Sequence, residues 1–442
     1  MAAGPRDQHR LGDGRRRRRP VRSDLDLPAP TLRSLITLRR YRVDVRDAAL
    51  RRVGQVDAYT NLGVIVRHLD VGTWSLTLPA AHPQARLLTT GQGVIIWPEA
   101  TADGGMEPLL SGPVTKIRHD WSNTTSTGGT LTFSGTCDNA PLGDRLAFPD
   151  PSRAPDTGNG RYSVDYWTRQ GPAADIVREL VAANLGEHAL PGRRVAGLDT
   201  TPPPGTPTAT GAATTARLRF DTVLSAVQTL ATSAGLSVRI VQPDPTAPRL
   251  ALTIAPVRDR SREVRLSPQL GNLASYSYEL TAPKATRAVV AAQGQGADRF
   301  FWQWTTPDAE RDWHRAAEVF VDQRDSPVPA RLDANDPQFT VLAEAAARAL
   351  EQSGQQAELS LSPIDTPQMT YGRHYQVGDT VTVTTVGGVD LAYPVREVHV
   401  SDSAETTTVQ ATVGTANATK TPALYGQVRR LWQAVHQLNT RH

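Results

Sequence analysis

The segment from Tyr375 to Val413 constrains the fold more than any other part of the sequence, because apolar and polar residues alternate along it. Val381 and Val383 alternate with threonines, and a period of two places the valines on one face of a strand and the threonines on the other. Gly378 before this run and Gly388 after it are typical of tight turns. The pattern predicts three or four short strands that form a scaffold and offer no nucleophile, general base or metal ligand.

The length and the single cysteine set further limits. A chain of 442 residues is too long for one core, so we expect two to four domains. Cys137 alone excludes an internal disulfide and a zinc site built on thiolates. Because no run of 18 apolar residues is present and no apolar segment follows the charged N-terminus, we expect neither membrane insertion nor a secretory signal.

The positive charge of the chain is concentrated at its N-terminus. Residues 1–22 contain eight arginines against two aspartates, and the arginine run is Arg15 to Arg19. The remaining sequence is close to neutral, which is unlike the broad basic surface of a dedicated nucleic-acid binder. The run itself fits two interpretations: a solvated, disordered tail, or a segment that contacts phosphates of DNA or another acidic polymer.

Strand patterns dominate residues 35–148. Apolar Trp74, Leu76 and Leu78 alternate with hydroxyl residues, and Val94 to Trp97 form a short continuous apolar run. Further strands are predicted over Leu109–Ile117 and Leu131–Gly135. The pattern predicts a small antiparallel barrel or sandwich.

Helix patterns follow. Apolar stripes predict helices over Pro172–Leu185 and Leu218–Gly235, the second with Asp221 as N-cap, and a strand over Leu236–Val241. A third helix, Phe339–Gln352, precedes the strand-rich segment described first. We therefore expect an α/β unit inserted between two β-rich parts, with Val381, Val383, Val395 and Val398 in one core.

The predicted fold class is α+β and β-rich. The predicted parts are a disordered Arg-rich tail (1–31), a first β-domain (32–150), an inserted α/β domain (151–285), a connecting segment with a strand and aromatic residues (286–338), a helix with a second β-domain (339–415), and a C-terminal helix (416–442).

No motif predicts catalysis, a cofactor or a metal. Gly294 and Gly296 follow an apolar strand, but the third glycine of a dinucleotide fingerprint is replaced by Arg299. His314 and Glu318 have a helical metal-ligand spacing that no further ligand completes. His119 and Asp120 are adjacent, so on a strand they point to opposite faces. We expect no catalytic, cofactor-binding or metal-ligating residues.

Two sets of residues are candidates for contacts with partners. An aromatic cluster, which is either a protein- or carbohydrate-binding face or a packing patch, consists of Phe300, Phe301, Trp302 and Trp304. A heptad-spaced seam near the C-terminus predicts oligomerisation, with docking of the helix on its own subunit as the alternative; it consists of Leu424, Val428, Leu431, Val435 and Leu438.

Several sequence segments together resemble the minor tail or baseplate-hub proteins of long-tailed phages that infect actinobacteria. They are Gly112-Pro113-Val114 leading to LTFSGTCDNAPLGDRLAFP, the helix FDTVLSAVQTLATSAGLSVRI, EVFVDQRD, YQVGDTVTV and PVREVHV. The resemblance covers about residues 35 to 415.

The resemblance implies a fold and a function. Each subunit would contribute two antiparallel β-barrel-like tube domains that flank the α/β insert, and three subunits would form a ring that lines a DNA channel at the tail tip of the virion. The implied partners are two further copies of the chain, the distal tail protein ring, the tape measure protein, tip or receptor-binding fibre proteins, and DNA in transit.

Two other function classes compete with this structural role. One is a tail-associated cell-wall hydrolase or carbohydrate-binding protein, and the other is a nucleic-acid-binding module acting through Arg15 to Arg19. Paired carboxylates for glycan cleavage need only spatial proximity, so the sequence alone leaves the hydrolase open.

Overall fold

The computed structural model of the chain describes residues 41–98, 107–123, 128–157, 160–202, 210–385, 388 and 390–413. In chain order the strands are β1 (Tyr41–Arg46), β2 (Arg52–Val56), β3 (Asn61–Arg67), β4 (Thr73–Pro79), β5 (Gly93–Pro98), β6 (Leu110–Asp120), β7 (Thr130–Thr136), β8 (Trp167–Pro172), β9 (Leu198–Asp199), β10 (Ala213–Leu218), β11 (Leu236–Val241), β12 (Leu250–Pro256), β13 (Arg265–Leu266), β14 (Leu273–Thr281), β15 (Arg287–Ala291), β16 (Phe301–Thr305), β17 (Glu318–Asp322), β18 (Gln356–Pro363), β19 (Thr380–Thr384), β20 (Asp390–Ser403) and β21 (Thr407–Val413). The helices are α1 (Ala140–Asp144), α2 (Ala173–Asn184), α3 (Val223–Ser233), α4 (Pro307–Trp313) and α5 (Pro337–Gln352).

One sheet of 13 strands, almost entirely antiparallel, dominates the fold. Its order is β14-β18-β21-β20-β3-β4-β7-β6-β5-β1-β2, and β19 with β13 branches from β20. Along these strands apolar residues alternate with Thr and Ser, so one face is apolar and packs the main core. The four residues predicted to share a core are fully buried there: Val381, Val383, Val395 and Val398.

The two β-rich regions are joined directly, through antiparallel pairing of β20 with β3. Val398 lies opposite Val66 and Val400 opposite Val64, and all four contribute to the main core. The β-rich α+β class is therefore confirmed, but the described strands close into no barrel. The reason is that the outer edge of β3 is hydrogen-bonded to β20, so this edge is not available to close the first region on itself.

The inserted α/β region has a core of its own, in which α2 and α3 pack with the sheets β8-β10 and β9-β12-β11. The structure shortens the predicted helix over Leu218–Gly235 to α3. Its N-cap is Thr222, whose Oγ1 accepts a hydrogen bond of 3.1 Å from the Ser225 amide, and not Asp221.

The predicted helix start at Leu218 was wrong, because a turn precedes α3 and the helix begins only at Val223. Phe220 has a φ of +61°, and its ring makes edge-to-face contacts with Phe148 and Tyr162. These contacts hold Phe220 outside the helix, although it fits the apolar stripe of the sequence.

A third, smaller core lies between α5 and the sheet β16-β15-β17. Helix α5 ends at Gln352 as predicted and begins at Pro337, close to the predicted Phe339. The carboxylate of Asp336 caps it by accepting hydrogen bonds from the amides of Gln338 and Phe339, at 2.8 and 3.3 Å.

A buried polar network connects the α/β region to the main sheet. Arg46 on β1 forms an ion pair of 2.6 Å with Asp138 and donates a hydrogen bond of 3.0 Å to Gln242, which follows β11. Ser111 on β6 donates to Asp138 and accepts from the Gln242 amide. The buried charges are thus paired and hydrogen-bonded, which is the condition under which such groups are tolerated in a core.

In the described ranges, no helix combines the length and the apolar character needed to cross a bilayer.

Candidate functional site

A continuous polar surface is formed by the face of the main sheet that points away from its core. It extends across eight neighbouring strands, from β14 to β6. Cross-strand register places short hydroxyl side chains side by side on this face. We call it the hydroxyl face, and its hydroxyl residues include Thr73, Ser75, Thr77, Thr132, Ser134, Thr136, Ser275, Ser277, Ser360, Ser362, Ser401, Thr408 and Thr412.

The hydroxyl face is concave near its centre. A shallow depression of about 670 Å³ lies there, lined by residues of six strands, among them Ser75, Ser134, Ser401 and Gln410. Most of its lining consists of backbone, hydroxyl and amide groups that can donate and accept hydrogen bonds without a net charge. The exceptions are Lys116 and His399, which lie at its border with β6 and β20.

The charged groups on this face are largely paired. Arg67 on β3 forms an ion pair with Glu397 on β20, and His399 lies 2.5 Å from the same carboxylate. Burial raises the pKa of Glu397, but hydrogen bonds from His399 and Arg67 outweigh it, so its pKa lies below the ordinary value. On β6, Arg118 pairs with Asp120 at 2.7 Å.

The aromatic cluster is divided between two faces of the small sheet. Because neighbours on a strand alternate, Trp302 and Trp304 lie on the side of α5, where both rings contact Phe339. Phe300 stacks on Trp302 at 6.4 Å and packs with the same core. Phe301 lies on the opposite face and is 49% exposed.

Phe301 has an exposed aromatic neighbour that the sequence analysis did not single out. Phe320 on β17 is 57% exposed. The guanidinium of Arg299 lies 5.7 Å from the Phe301 ring and 5.9 Å from the Phe320 ring, which places both rings on the same side of the sheet. The partner-face hypothesis for the cluster stays a prediction, and in this structure it concerns Phe301 with Phe320.

A small, partly open cavity of about 60 Å³ lies where the α/β region meets the main sheet. His68, Cys137, Arg239 and Tyr371 line it. Burial lowers the pKa of His68 to about 4 and raises the pKa of the Cys137 thiol. Arg239 donates to the carbonyl of Leu109 at 2.8 Å. The cavity has room for a few waters and not for a substrate.

The other candidate motifs are not brought together. His314 follows α4 with a φ of +49° and Glu318 begins β17, so the two do not share a helix. His119 and Asp120 point to opposite faces of β6, as predicted, and each has a local partner. Gly296 begins a single 3₁₀ turn. Within the described ranges, no three His, Cys, Asp or Glu side chains are placed to hold a metal ion.

Two predictions fall outside the described residues. They concern the arginine run Arg15 to Arg19 and the heptad seam Leu424, Val428, Leu431, Val435 and Leu438. The hydroxyl face, in contrast, was not predicted from the sequence. The signal for it is the choice of Thr and Ser at nearly every polar position of strands such as Thr73–Pro79 and Thr130–Thr136.

Comparison with known proteins gives a family. The family described as Siphovirus ReqiPepy6 Gp37-like protein matches residues 42–415. No curated protein matches the chain significantly.

Solved structures to which the chain is similar include three described as tail proteins. The tail protein from Neisseria meningitidis MC58 is 15% identical with a TM-score of 0.49, and the alignment covers 85% of this chain and 97% of that one. The 43 kDa tail protein of prophage MuSo2 from Shewanella oneidensis is 13% identical with a TM-score of 0.47, covering 84% and 98%. Prophage tail protein gp18 from Listeria monocytogenes EGD-e is 10% identical with a TM-score of 0.42, covering 89% and 99%.

The family match extends over nearly all of the described residues, from the second residue of β1 to just past the end of β21. The protein therefore belongs to the Siphovirus ReqiPepy6 Gp37-like family.

Proposed function

We propose that the protein is a non-enzymatic structural component of the siphovirus tail. In this proposal it forms a homotrimeric ring at the tail tip whose hydroxyl face lines a channel for DNA. The family membership and the sequence resemblance to hub proteins support the tail assignment. The hydroxyl face is the single observation that carries the assignment to a channel.

A channel for DNA must attract the polyanion too weakly to hold it. Each unpaired cation that contacts a phosphate adds salt-dependent affinity, and several such contacts would retain the strand. On the hydroxyl face Arg67 and Arg118 have carboxylate partners on the same face, Lys116 is a further cation, and neutral hydroxyls occupy most other positions. Hydroxyl-bound water gives DNA a polar surface along which phosphates exchange hydrogen bonds at little cost.

The ring would join the distal tail protein ring and the tape measure protein on one side to tip or receptor-binding fibre proteins on the other. A specific observation favours a protein contact on the outside: the two exposed rings Phe301 and Phe320, with Arg299 between them. Replacing both phenylalanines with alanine should leave the ring intact and reduce incorporation of a neighbouring tail protein into particles. Particles of unchanged composition would contradict this role.

The channel proposal can be tested by adding charge to the hydroxyl face. Thr408 and Gln410 are exposed on the hydroxyl face of β21, so Thr408→Lys with Gln410→Lys should fold normally. Phage particles with this double variant should assemble and release DNA more slowly, and higher salt should restore the rate because it screens phosphate contacts.

The matched control places the same two charges on α3, through Thr229→Lys and Thr232→Lys, which are exposed in the α/β region. This control should release DNA at the normal rate. Equal rates for both variants and the parent phage would contradict the channel assignment. If a label on the chain is found away from the tail tip of the particle, the proposed position is wrong.

A further inference from the structure

The two β-rich regions of the main sheet are repeats of one unit. In the first repeat the pairing order is β3-β4-β7-β6-β5, and in the second it is β14-β18-β21-β20-β19. The strands also follow one another along the chain in the same sequence, with β3, β4, β5, β6 and β7 corresponding to β14, β18, β19, β20 and β21. The repeats have the same topology strand for strand.

The correspondence extends to single residues at the bend of the longest strand. Strand β6 leaves β5 at Pro113 and shifts register against β7 after Val114. Strand β20 leaves β19 at Pro394 and shifts register against β21 after Val395. Each repeat therefore has a Pro-Val step followed by a bulge in the equivalent place.

The turn that precedes this bend is also the same in both repeats. The amide of Val114 donates to the Gln92 carbonyl at 2.8 Å, and the amide of Val395 donates to the Asp379 carbonyl at 2.9 Å. The side chains of Gln92 and Asp379 each accept a hydrogen bond from the amide three residues earlier, at 2.7 and 2.9 Å. Gly91 and its counterpart Gly378 have positive φ values of 82° and 96°.

Cross-strand pairs show which residues of the two repeats correspond on the remaining strands. In the second repeat one row of facing residues is Val398, Ala411, Leu361 and Tyr276, and the corresponding row of the first repeat is Ile117, Phe133, Leu76 and Leu62. Tyr276 on β14 is thus the counterpart of Leu62 on β3.

The repeats differ in how their outer strands are used. Inside the chain, β20 of the second repeat pairs with β3 of the first. The corresponding strands are β6 and β14, and they are the two ends of the eight-stranded part of the sheet that carries the hydroxyl face. Among the described strands, the part of β6 after Val114 pairs only with β7, and β14 pairs only with β18. Unpaired edges of this kind are templates for another strand.

The internal junction predicts how these edges would meet. Val398 faces Val66, which lies four residues after Leu62. The residue four positions after Tyr276 is Leu280, so the same register places Ile117 opposite Leu280. Carried along both strands, it gives three facing pairs: Ile117 with Leu280, Arg118 with Glu279, and His119 with Tyr278.

The chemistry of these pairs is complementary, although equivalence of the two repeats alone does not require complementary side chains. Ile117, which is 41% exposed, would be covered by half-buried Leu280. Arg118 and Glu279 are both exposed, and Arg118, which already contacts Asp120 at 2.7 Å, would form a cross-strand ion pair with Glu279 where the internal junction has His399 and Ile65. Opposite charges and apolar pairs directly across from each other stabilise antiparallel strands.

We infer that β6 of one copy pairs antiparallel with β14 of a second copy in this register. The contact is head-to-tail, so it propagates from copy to copy and closes only in a ring. The inference rests on the proposed ring and specifies its interface. It makes the hydroxyl faces of neighbouring copies continuous, in the way that β20 and β3 make them continuous within one chain.

A cysteine pair tests the register in assembled particles. Directly facing residues of antiparallel strands have Cα atoms about 4.5–5.5 Å apart, which is within disulfide range. Phage particles with Ile117→Cys and Leu280→Cys should give disulfide-linked oligomers of the chain after mild oxidation with diamide. Each single variant should remain monomeric on a non-reducing gel, since native Cys137 is buried.

A register control uses Ile117→Cys with Tyr278→Cys, two residues away on the same face, and should link far less. If particles contain the chain with Ile117→Cys and Leu280→Cys but no disulfide forms between copies, the inferred pairing is wrong, whereas the proposed ring is unaffected. Equal linking of both double variants would overturn the register. Absence of the parent chain from particles would overturn the proposed function instead.

Charge reversal gives an independent test on the purified full chain by light scattering. Arg118→Glu should reduce the oligomer at least tenfold, as should Glu279→Arg, and the two together should restore it. Melting curves of each variant in monomeric form should match that of the parent, because both residues are exposed. Failure of the double variant to restore association would contradict the pairing.

Discussion

Strands β20 and β6 have the same bent backbone and very different surroundings. Beyond its bend β20 is hydrogen-bonded on both sides, to β21 and β3, whereas β6 is hydrogen-bonded only to β7 among the described strands. Val398 on β20 is fully buried, and its counterpart Ile117 on β6 is 41% exposed. In this fold the burial of a side chain is therefore set by the neighbouring strand as much as by its own place in the alternation.

The largest expected effect compares one substitution at these two positions. Val398→Asp would bury an unpaired carboxylate in the main core and should lower the free energy of unfolding by about 4 kcal/mol or more. Ile117→Asp in the monomer should cost less than about 1 kcal/mol, because water reaches the new carboxylate. Urea unfolding of the two monomeric variants measures the difference. Similar losses at both positions would refute the contrast.

A smaller effect concerns His68, which follows β3 at the junction and whose counterpart is Ala282. In the unfolded chain the pKa of a histidine is about 6.5, whereas burial lowers the pKa of His68 to about 4. As the pH is lowered, His68 is therefore protonated in the unfolded chain at a higher pH than in the folded chain. The contribution of this group to the free energy of unfolding is therefore fully present above pH ~6.5. It falls by about 3 kcal/mol as the pH decreases towards ~4.

The measurement is urea unfolding at a series of pH values between 7 and 4. His68→Gln should remove this part of the pH dependence, while His188→Gln, at a side chain that is 73% exposed, should leave it unchanged. An identical pH slope in the parent and in His68→Gln would show that His68 is not responsible.

The two turn glycines give a still smaller, matched comparison. Alanine at Gly91 would be strained by its positive φ but would meet no atom within 4 Å, so Gly91→Ala should cost about 1 kcal/mol. Alanine at Gly378 has the same backbone strain, and its Cβ would lie 2.8 Å from the His68 ring. Gly378→Ala should therefore cost about 2 kcal/mol. Thermal unfolding of both variants measures the order, and the reverse order would contradict the contact.

The smallest effect compares Glu397 with its counterpart Lys116. Glu397→Gln removes a partly buried carboxylate that contacts Arg67 and His399 and should cost about 1 kcal/mol at neutral pH. The pKa of Glu397 is lowered in the folded state, so this contribution is lost in acid, as the carboxylate becomes protonated. Lys116→Gln on exposed β6 should change stability by less than about 0.5 kcal/mol. Equal effects at neutral pH would contradict the contrast.

The sequence predicted most of the local structure, since alternation and apolar stripes depend on residues close together in the chain. The core valines, α2, α5 and the strands around Trp74 and Phe133 lie where these patterns placed them. The errors are at element ends, where a tertiary contact outweighs a local preference, as for Phe220 with Phe148 and Tyr162.

The candidate site was less accessible from sequence for a different reason. The hydroxyl face arises because serines and threonines of widely separated strands meet through strand order, and no short-range pattern specifies that β20 pairs with β3. For the aromatic cluster the alternation along β16 was a usable signal. Phe301 and Trp302 are neighbours on a strand, so their side chains must lie on opposite faces. The repeat was also hidden in the sequence, since only a few of its residues, such as Pro113 and Pro394, are identical between the two copies.

The connection between the first two strands of each repeat has a consequence for the order of folding. In the first repeat β3 reaches β4 through His68 to Gly72, whereas in the second repeat β14 reaches β18 through residues Ala282 to Gln355, which include the small sheet and α5. Closing the shorter loop loses less chain entropy, and local contacts form sooner than distant ones. We expect the first repeat to form early and to present β3 as a template on which β20, and with it the second repeat, completes the sheet.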